Sequence, residues 1–181
     1  MKQNIVVVFF MFVLVGLTPL MAQETYGLSS ESKLTIEGTS TVHDWTVTAN
    51  TIQGKLRAQG TSLEEIEFQV DVADIKSERG ATMDKKMYNA LKKEEHPKVL
   101  FVLNEVKGQN VLSGTLTIAG NAKKVDIECK ILASSDEVKI SGEHRIALKD
   151  FNIEPPTAMF GQVIVGDDVT VKFDLVFKSE S

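Results

Sequence analysis

Val169-Thr170-Val171-Lys172-Phe173-Asp174-Leu175-Val176-Phe177 carries the clearest strand pattern of the chain. Val169, Val171, Phe173, Leu175 and Phe177 take every second position, and Thr170, Lys172 and Asp174 lie between them. Successive side chains of a strand point to opposite faces, so this segment reads as a strand with one apolar face. The same period recurs upstream. Ile66, Phe68, Val70 and Val72 alternate with Glu67, Gln69 and Asp71; Leu112, Leu116 and Ile118 with Ser113, Thr115 and Thr117. Val125, Ile127, Cys129 and Ile131 share a face, as do Val138, Ile140, His144, Ile146 and Leu148, and His43, Trp45, Val47 and Ala49. Leu34 and Ile36 begin the pattern, and Val99 to Leu103 is apolar on both sides. About eight or nine strands result, joined by polar turns such as Lys107-Gly108-Gln109-Asn110 and Ser134-Ser135-Asp136.

One segment breaks the alternation. Met83, Met87, Ala90 and Leu91 have helical spacing, which predicts a helix over Thr82 to Lys93, stopped by His96-Pro97. A sheet with one polar and one apolar face must close on itself or pair with another sheet. Periodicity alone leaves a closed barrel and a two-sheet sandwich both open. The longest stretch without strand pattern, Phe151 to Gly166, carries Pro155-Pro156 and Met159-Phe160-Gly161. Met159 and Phe160 either cover a barrel mouth or plug the bottom of the core.

The start of the chain reads differently. Met1-Lys2-Gln3-Asn4, an uncharged apolar run from Ile5 to Leu17, and Thr18-Pro19-Leu20-Met21-Ala22 form the three parts of a secretory signal peptide. Cleavage after Ala22 is expected, giving a leader at 1–22 and one domain at 23–181 that is secreted into the periplasm. No later apolar run is long enough for a helical span, so no stable membrane insertion is expected after cleavage. Composition excludes other classes. With 43% hydrophobic and 25% charged residues the chain is globular, and a net charge of −5 gives no general attraction to nucleic acid. A single cysteine forms no internal disulfide, and Cys129 reads as a small buried hydrophobe. A homodimer through an edge strand stays open. No nucleophile elbow, phosphate loop or HExxH helix is present, so an enzyme is not expected.

Four motifs in order resemble the YceI-like family of exported lipid- or polyisoprenoid-binding proteins. They are Ser40-Thr41-Val42-His43-Asp44-Trp45 leading into Ile52-Gln53-Gly54-Lys55-Leu56; Met87-Tyr88-Asn89-Ala90-Leu91 through Glu95-His96-Pro97-Lys98-Val99-Leu100-Phe101; Leu112-Ser113-Gly114-Thr115-Leu116-Thr117-Ile118-Ala119-Gly120 with Lys124-Val125; and Phe151-Asn152-Ile153 with Val165-Gly166-Asp167-Asp168-Val169 and the last strand. The resemblance implies an all-β fold: a closed antiparallel lipocalin-like β-barrel of about eight strands with one inserted α-helix. It also implies an isoprenoid chain, from a polyisoprenoid lipid or an isoprenoid quinone, held as ligand in an apolar tunnel, with no other cofactor. The sequence departs from that family at His43-Asp44-Trp45, which leaves the particular ligand open.

On that reading the tunnel walls are Trp45, Val47, Phe68, Val70, Phe101, Leu116, Phe173 and Phe177, each of which could equally be solid core. His43 and His144 share faces with apolar neighbours. They would either hydrogen-bond a ligand head group or sit in the core satisfied by backbone or by Asp44. A metal site built on the two is not supported by their spacing. His96 reads as structural. Arg79 and Lys85-Lys86 flank the helix start, where they are surface charge or partners for an anionic head. The competing function is a structural or stress-response barrel, filled by its own side chains and acting through a protein partner.

Overall fold

The computed structural model describes residues 23–180. The expected leader at 1–22 lies outside the described residues. Twelve strand segments and one α-helix follow in chain order. They are β1 (Glu24–Leu28), β2 (Lys33–Ser40), β3 (Trp45–Ala49), β4 (Ile52–Gln59), β5 (Ser62–Asp71), β6 (Ile75–Ser77), α1 (Ala81–Ala90), β7 (Lys98–Lys107), β8 (Val111–Ile118), β9 (Asn121–Ala133), β10 (Glu137–Ala147), β11 (Thr157–Ala158) and β12 (Val163–Ser179).

Six of these segments are halves of three longer strands. β1 and β2 both pair antiparallel with β12, through Tyr26↔Ser179 to Leu28↔Phe177 and then Leu34↔Phe173 to Gly38↔Val169. β3 pairs with β2 as β4 pairs with β1, and β6 pairs with β3 as β5 pairs with β4. The breaks are short turns, one of them a 3-10 turn at Val72–Asp74. Joined in this way, the segments form an eight-stranded up-and-down meander. It runs through β7, β8, β9 and β10 to β12 and closes where β12 meets β1 and β2. The expected closed antiparallel barrel with one helix is therefore the fold, and the sandwich is excluded. Closure leaves no free edge along most of the sheet.

The seam is open at one place. β7 pairs with β5 but not with β6, and α1, which connects β6 to β7, covers that gap. Its apolar stripe of Met83, Met87, Ala90 and Leu91 faces the barrel interior. The helix is shorter than its spacing suggested. It ends at Ala90, because Lys92 turns to positive φ (52°) and the chain closes with Lys93 N–H donating to Tyr88 O at 2.9 Å and Lys92 N–H to Asn89 O at 3.1 Å. This is a Schellman closure with lysine where glycine is usual, so no residue type announced it.

The two ends of the barrel differ. At the end built by β1, the start of β5 and the end of β12, the inward side chains Leu56 and Phe177 are 0% exposed, and Tyr26, Val138 and Ile140 are 1% exposed. That end is a packed floor. Tyr26 Oη donates to Glu24 at 2.5 Å, and that hydrogen bond, with burial, pushes the phenol up to about 12. At the opposite end the inward residues Ile36, Phe68, Met87, Val99, Val171 and Phe173 remain only half-buried although they point into the barrel. Inward side chains stay accessible only where the interior is empty. In the run apolar on both sides, Phe101 and Leu103 face in, while Leu100 and Val102 face solvent.

Candidate functional site: an apolar lumen

The hollow half of the barrel encloses a cavity of about 550 Å³. Its walls come from every strand of the meander and from α1. Four glycines give the lumen its width. Gly38, Gly54, Gly114 and Gly142 occupy inward positions, and each lies under an aromatic ring. A Cβ on Gly38 would stand 2.2 Å from Trp45, one on Gly114 2.5 Å from Phe101, one on Gly54 3.3 Å from Phe68, and one on Gly142 3.1 Å from Phe173. The rings of Trp45, Phe68 and Phe173 belong to the residues paired directly across from their glycines. Each ring is folded back on the wall instead of standing across the lumen. The ring of Trp45 is fixed further by its Nε1–H, which donates to Thr39 O at 2.9 Å.

Of the residues singled out from sequence, Trp45, Val47, Phe68, Val70, Phe101, Leu116, Phe173 and Phe177 all line this cavity, as do His43 and His144. The histidines sit differently from one another. His144 is half-buried in the wall beside Ile146, and burial lowers its pKa below the ordinary value of 6.5. His43 is exposed in the β2–β3 turn at the mouth. Asp44 points to a separate outer depression, shared with Arg145 and Asp168, so it is not a partner of His43. Ser40 Oγ donates to His43 O at 2.8 Å and accepts from His43 N–H at 3.2 Å. That hydroxyl ties the turn and does not face the imidazole as a nucleophile would.

The Phe151–Gly166 stretch divides. Phe151 and Ile153 are buried, and Ile153, Pro156 and Thr157 line the cavity. Phe160 is a correction: it lies outside the lining, fully exposed, in a turn where its φ is 56°. The side chain of Met159 is outside the described ones. Lys86 Nζ donates to Thr157 O at 2.6 Å, which fastens α1 to this loop beside the opening.

Polar lining is confined to few side chains. Ser40, His43, Ser77, Arg79, Lys86 and Thr157 come from the segments around the mouth, and His144 lies in the wall. Among the described residues, none that lines the lumen is Asp or Glu. Among the described residues no group of three or more His, Cys, Asp or Glu is placed to hold a metal ion. Cys129 is buried, and its thiol is pushed up to about 11 by that burial. His96 packs over Gly120, where a Cβ would meet its ring at 2.4 Å. Sequence reading missed Leu34, Ile36, Met87, Leu91, Val99 and Val171 as wall residues, although Val99 and Val171 shared faces with Phe101 and Phe173, which it did name. It also missed the four glycines, which carry no side chain to enter an apolar count.

A closed antiparallel barrel with a packed floor and one open-mouthed apolar lumen defines the class of this protein. The chain belongs to the YceI-like family, whose domain matches residues 26–177. Solved structures with the same fold include BcnA of Burkholderia cenocepacia (TM-score 0.67, 19% identity, covering 81% of this chain and 96% of that one). A polyisoprenoid binding domain from Saccharophagus degradans, implicated in plant cell wall breakdown, superposes at TM-score 0.69 with 14% identity, covering 85% of this chain and 98% of that one. The Campylobacter jejuni YceI protein gives a TM-score of 0.60 at 17% identity, over 75% and 84% of the two chains. Comparison with curated proteins gives no match.

Proposed function

We propose that the protein is a non-catalytic carrier that holds a long apolar chain, from an isoprenoid lipid or isoprenoid quinone, in its lumen. The observation that carries this reading is the empty apolar half of the barrel above a packed floor. Each methylene moved from water into such a lumen contributes roughly 0.8 kcal/mol gross. A long chain therefore offsets the about 4–15 kcal/mol that association costs. The Saccharophagus degradans relative, described as polyisoprenoid binding, supports the ligand class. The apolar leader supports export to the periplasm, where such a chain needs shielding from water between membranes. An acid–base mechanism finds little support, since the lining holds no carboxylate and Ser40 is committed to its turn.

The competing barrel, filled by its own side chains, is disfavoured by the half-buried inward residues around the cavity. Trp45 is the only tryptophan and lines the lumen, so its emission reads occupancy directly. Lipid-stripped protein titrated with geranylgeraniol, and with a quinone carrying a tail of the same length, should show a saturable one-to-one change in Trp45 emission. A linear response, equal to that of free tryptophan amide, would remove the carrier reading.

A further inference from the structure

We infer that the lumen takes a single-chain anionic amphiphile, with roughly 20 carbons inside and its charged head at Arg79. This rests on the carrier reading and narrows it. Two independent observations carry it, one of volume and one of charge.

The volume sets how much of a chain the lumen shelters. An apolar cavity of about 150 Å³ accommodates a benzene, or about 25 Å³ per carbon. At that density a lumen of about 550 Å³ holds on the order of 22 carbons. The floor gives no way further, since Leu56 and Phe177 are 0% exposed and Val138 and Ile140 1%. A chain of about four isoprene units fits; one twice as long would leave about half its carbons in water, where they gain nothing.

The charge sets the head group. The chain carries 25 Asp and Glu against 20 Lys and Arg, yet among the described residues no carboxylate lines the lumen. Its two formal charges are both positive, Arg79 and Lys86, and both belong to the β6–α1 segment. Lys86 is spent on Thr157 O. The guanidinium of Arg79 is exposed and has no side-chain partner among the described residues. The nearest buried acid, Asp84, accepts the Ser77 N–H at 2.8 Å and is not among the lining residues. A free guanidinium at the mouth of an apolar tunnel matches a carboxylate or a phosphate monoester, to which its planar fork can donate twice.

The test uses lipid-stripped protein, Trp45 emission, and lauric, palmitic, arachidic and lignoceric acids beside the matching alcohols. Affinity should climb severalfold for each few added methylenes up to arachidic acid and stop climbing at lignoceric. Acids should outbind alcohols by about fivefold, the upper range for an exposed ion pair. In R79Q that ratio should fall to about one. Geranylgeranyl phosphate against geranylgeraniol repeats the comparison for a phosphate head. Affinity still rising at lignoceric acid, or an acid-to-alcohol ratio that R79Q leaves in place, would overturn this inference while the carrier reading stands. No saturable binding by any probe would remove both.

Discussion

Replacing Gly38 with Ala tests the idea that inward glycines keep the lumen open. Gly38 lies on β2 with ordinary φ, so alanine meets no backbone strain there. The new Cβ would sit 2.2, 2.6 and 2.8 Å from three atoms of the Trp45 ring. Ordinary carbon contacts lie near about 3.5 Å, so the ring must retreat by about 1.3 Å. That movement stretches the 2.9 Å bond from Trp45 Nε1–H to Thr39 O past useful length. A lost hydrogen bond costs about 0.5–1.5 kcal/mol and local overpacking about 1–3 kcal/mol. A total near 2 kcal/mol lowers Tm by about 4–8 °C in a chain of this size. The displaced indole has one place to go, the lumen, so geranylgeraniol affinity should fall as well. Thermal unfolding by circular dichroism, Trp45 emission and ligand titration read the three consequences. Combining G38A with W45L should recover most of the lost stability, since the three nearest atoms all belong to that ring. A Tm within about 1 °C of wild type, with unchanged emission and affinity, would show that Gly38 does not hold the ring against the wall.

Val171→Trp grows a side chain into the empty half of the barrel. Affinity for geranylgeraniol, measured by calorimetry, should drop at least about tenfold, because two lost methylene sites remove about 1.6 kcal/mol. Tm should hold, whereas a filled core would lose about 1–3 kcal/mol to overpacking. Burial lowers the His144 pKa, so below its ordinary value of 6.5 the unfolded chain takes up a proton that the folded one resists. The stability tied to this lowered pKa is complete above that pH and is lost as pH falls; H144F should lose less stability than wild type between pH 7 and pH 5 in urea unfolding. A steeper loss in H144F would contradict this sign. With its thiol near 11, Cys129 should resist iodoacetamide at mildly alkaline pH in the folded protein and react once denaturant is added. Fast labelling of the folded protein would place the thiol in contact with water.

Much of the fold was legible because strand alternation is written one residue at a time. Val169 to Phe177 announces β12, and the inward positions of β5, β8 and β10 follow the same rule. The choice between barrel and sandwich was not written there. It depends on β12 pairing with β10 on one side and with both β1 and β2 on the other, a relation between distant segments. The wall aromatics were legible as apolar residues on one face. That their rings lie flat was not, since it comes from Gly38, Gly54, Gly114 and Gly142 paired across strands. Phe160 misled because an apolar side chain in a loop carries no sign of direction, and this one is fully exposed. The end of α1 was overrun because Lys92 occupies a left-handed position that sequence habitually gives to glycine.

Native mass spectrometry reads directly whether the hollow lumen holds an apolar chain. The protein is purified without detergent from a bacterial periplasm, and its bound material is extracted into organic solvent. A stoichiometric added mass that extracts as a single apolar chain is the predicted result. A bare polypeptide mass, unchanged after geranylgeraniol, isoprenoid quinone and fatty acids are offered, would contradict the account and favour a barrel that works through a protein partner.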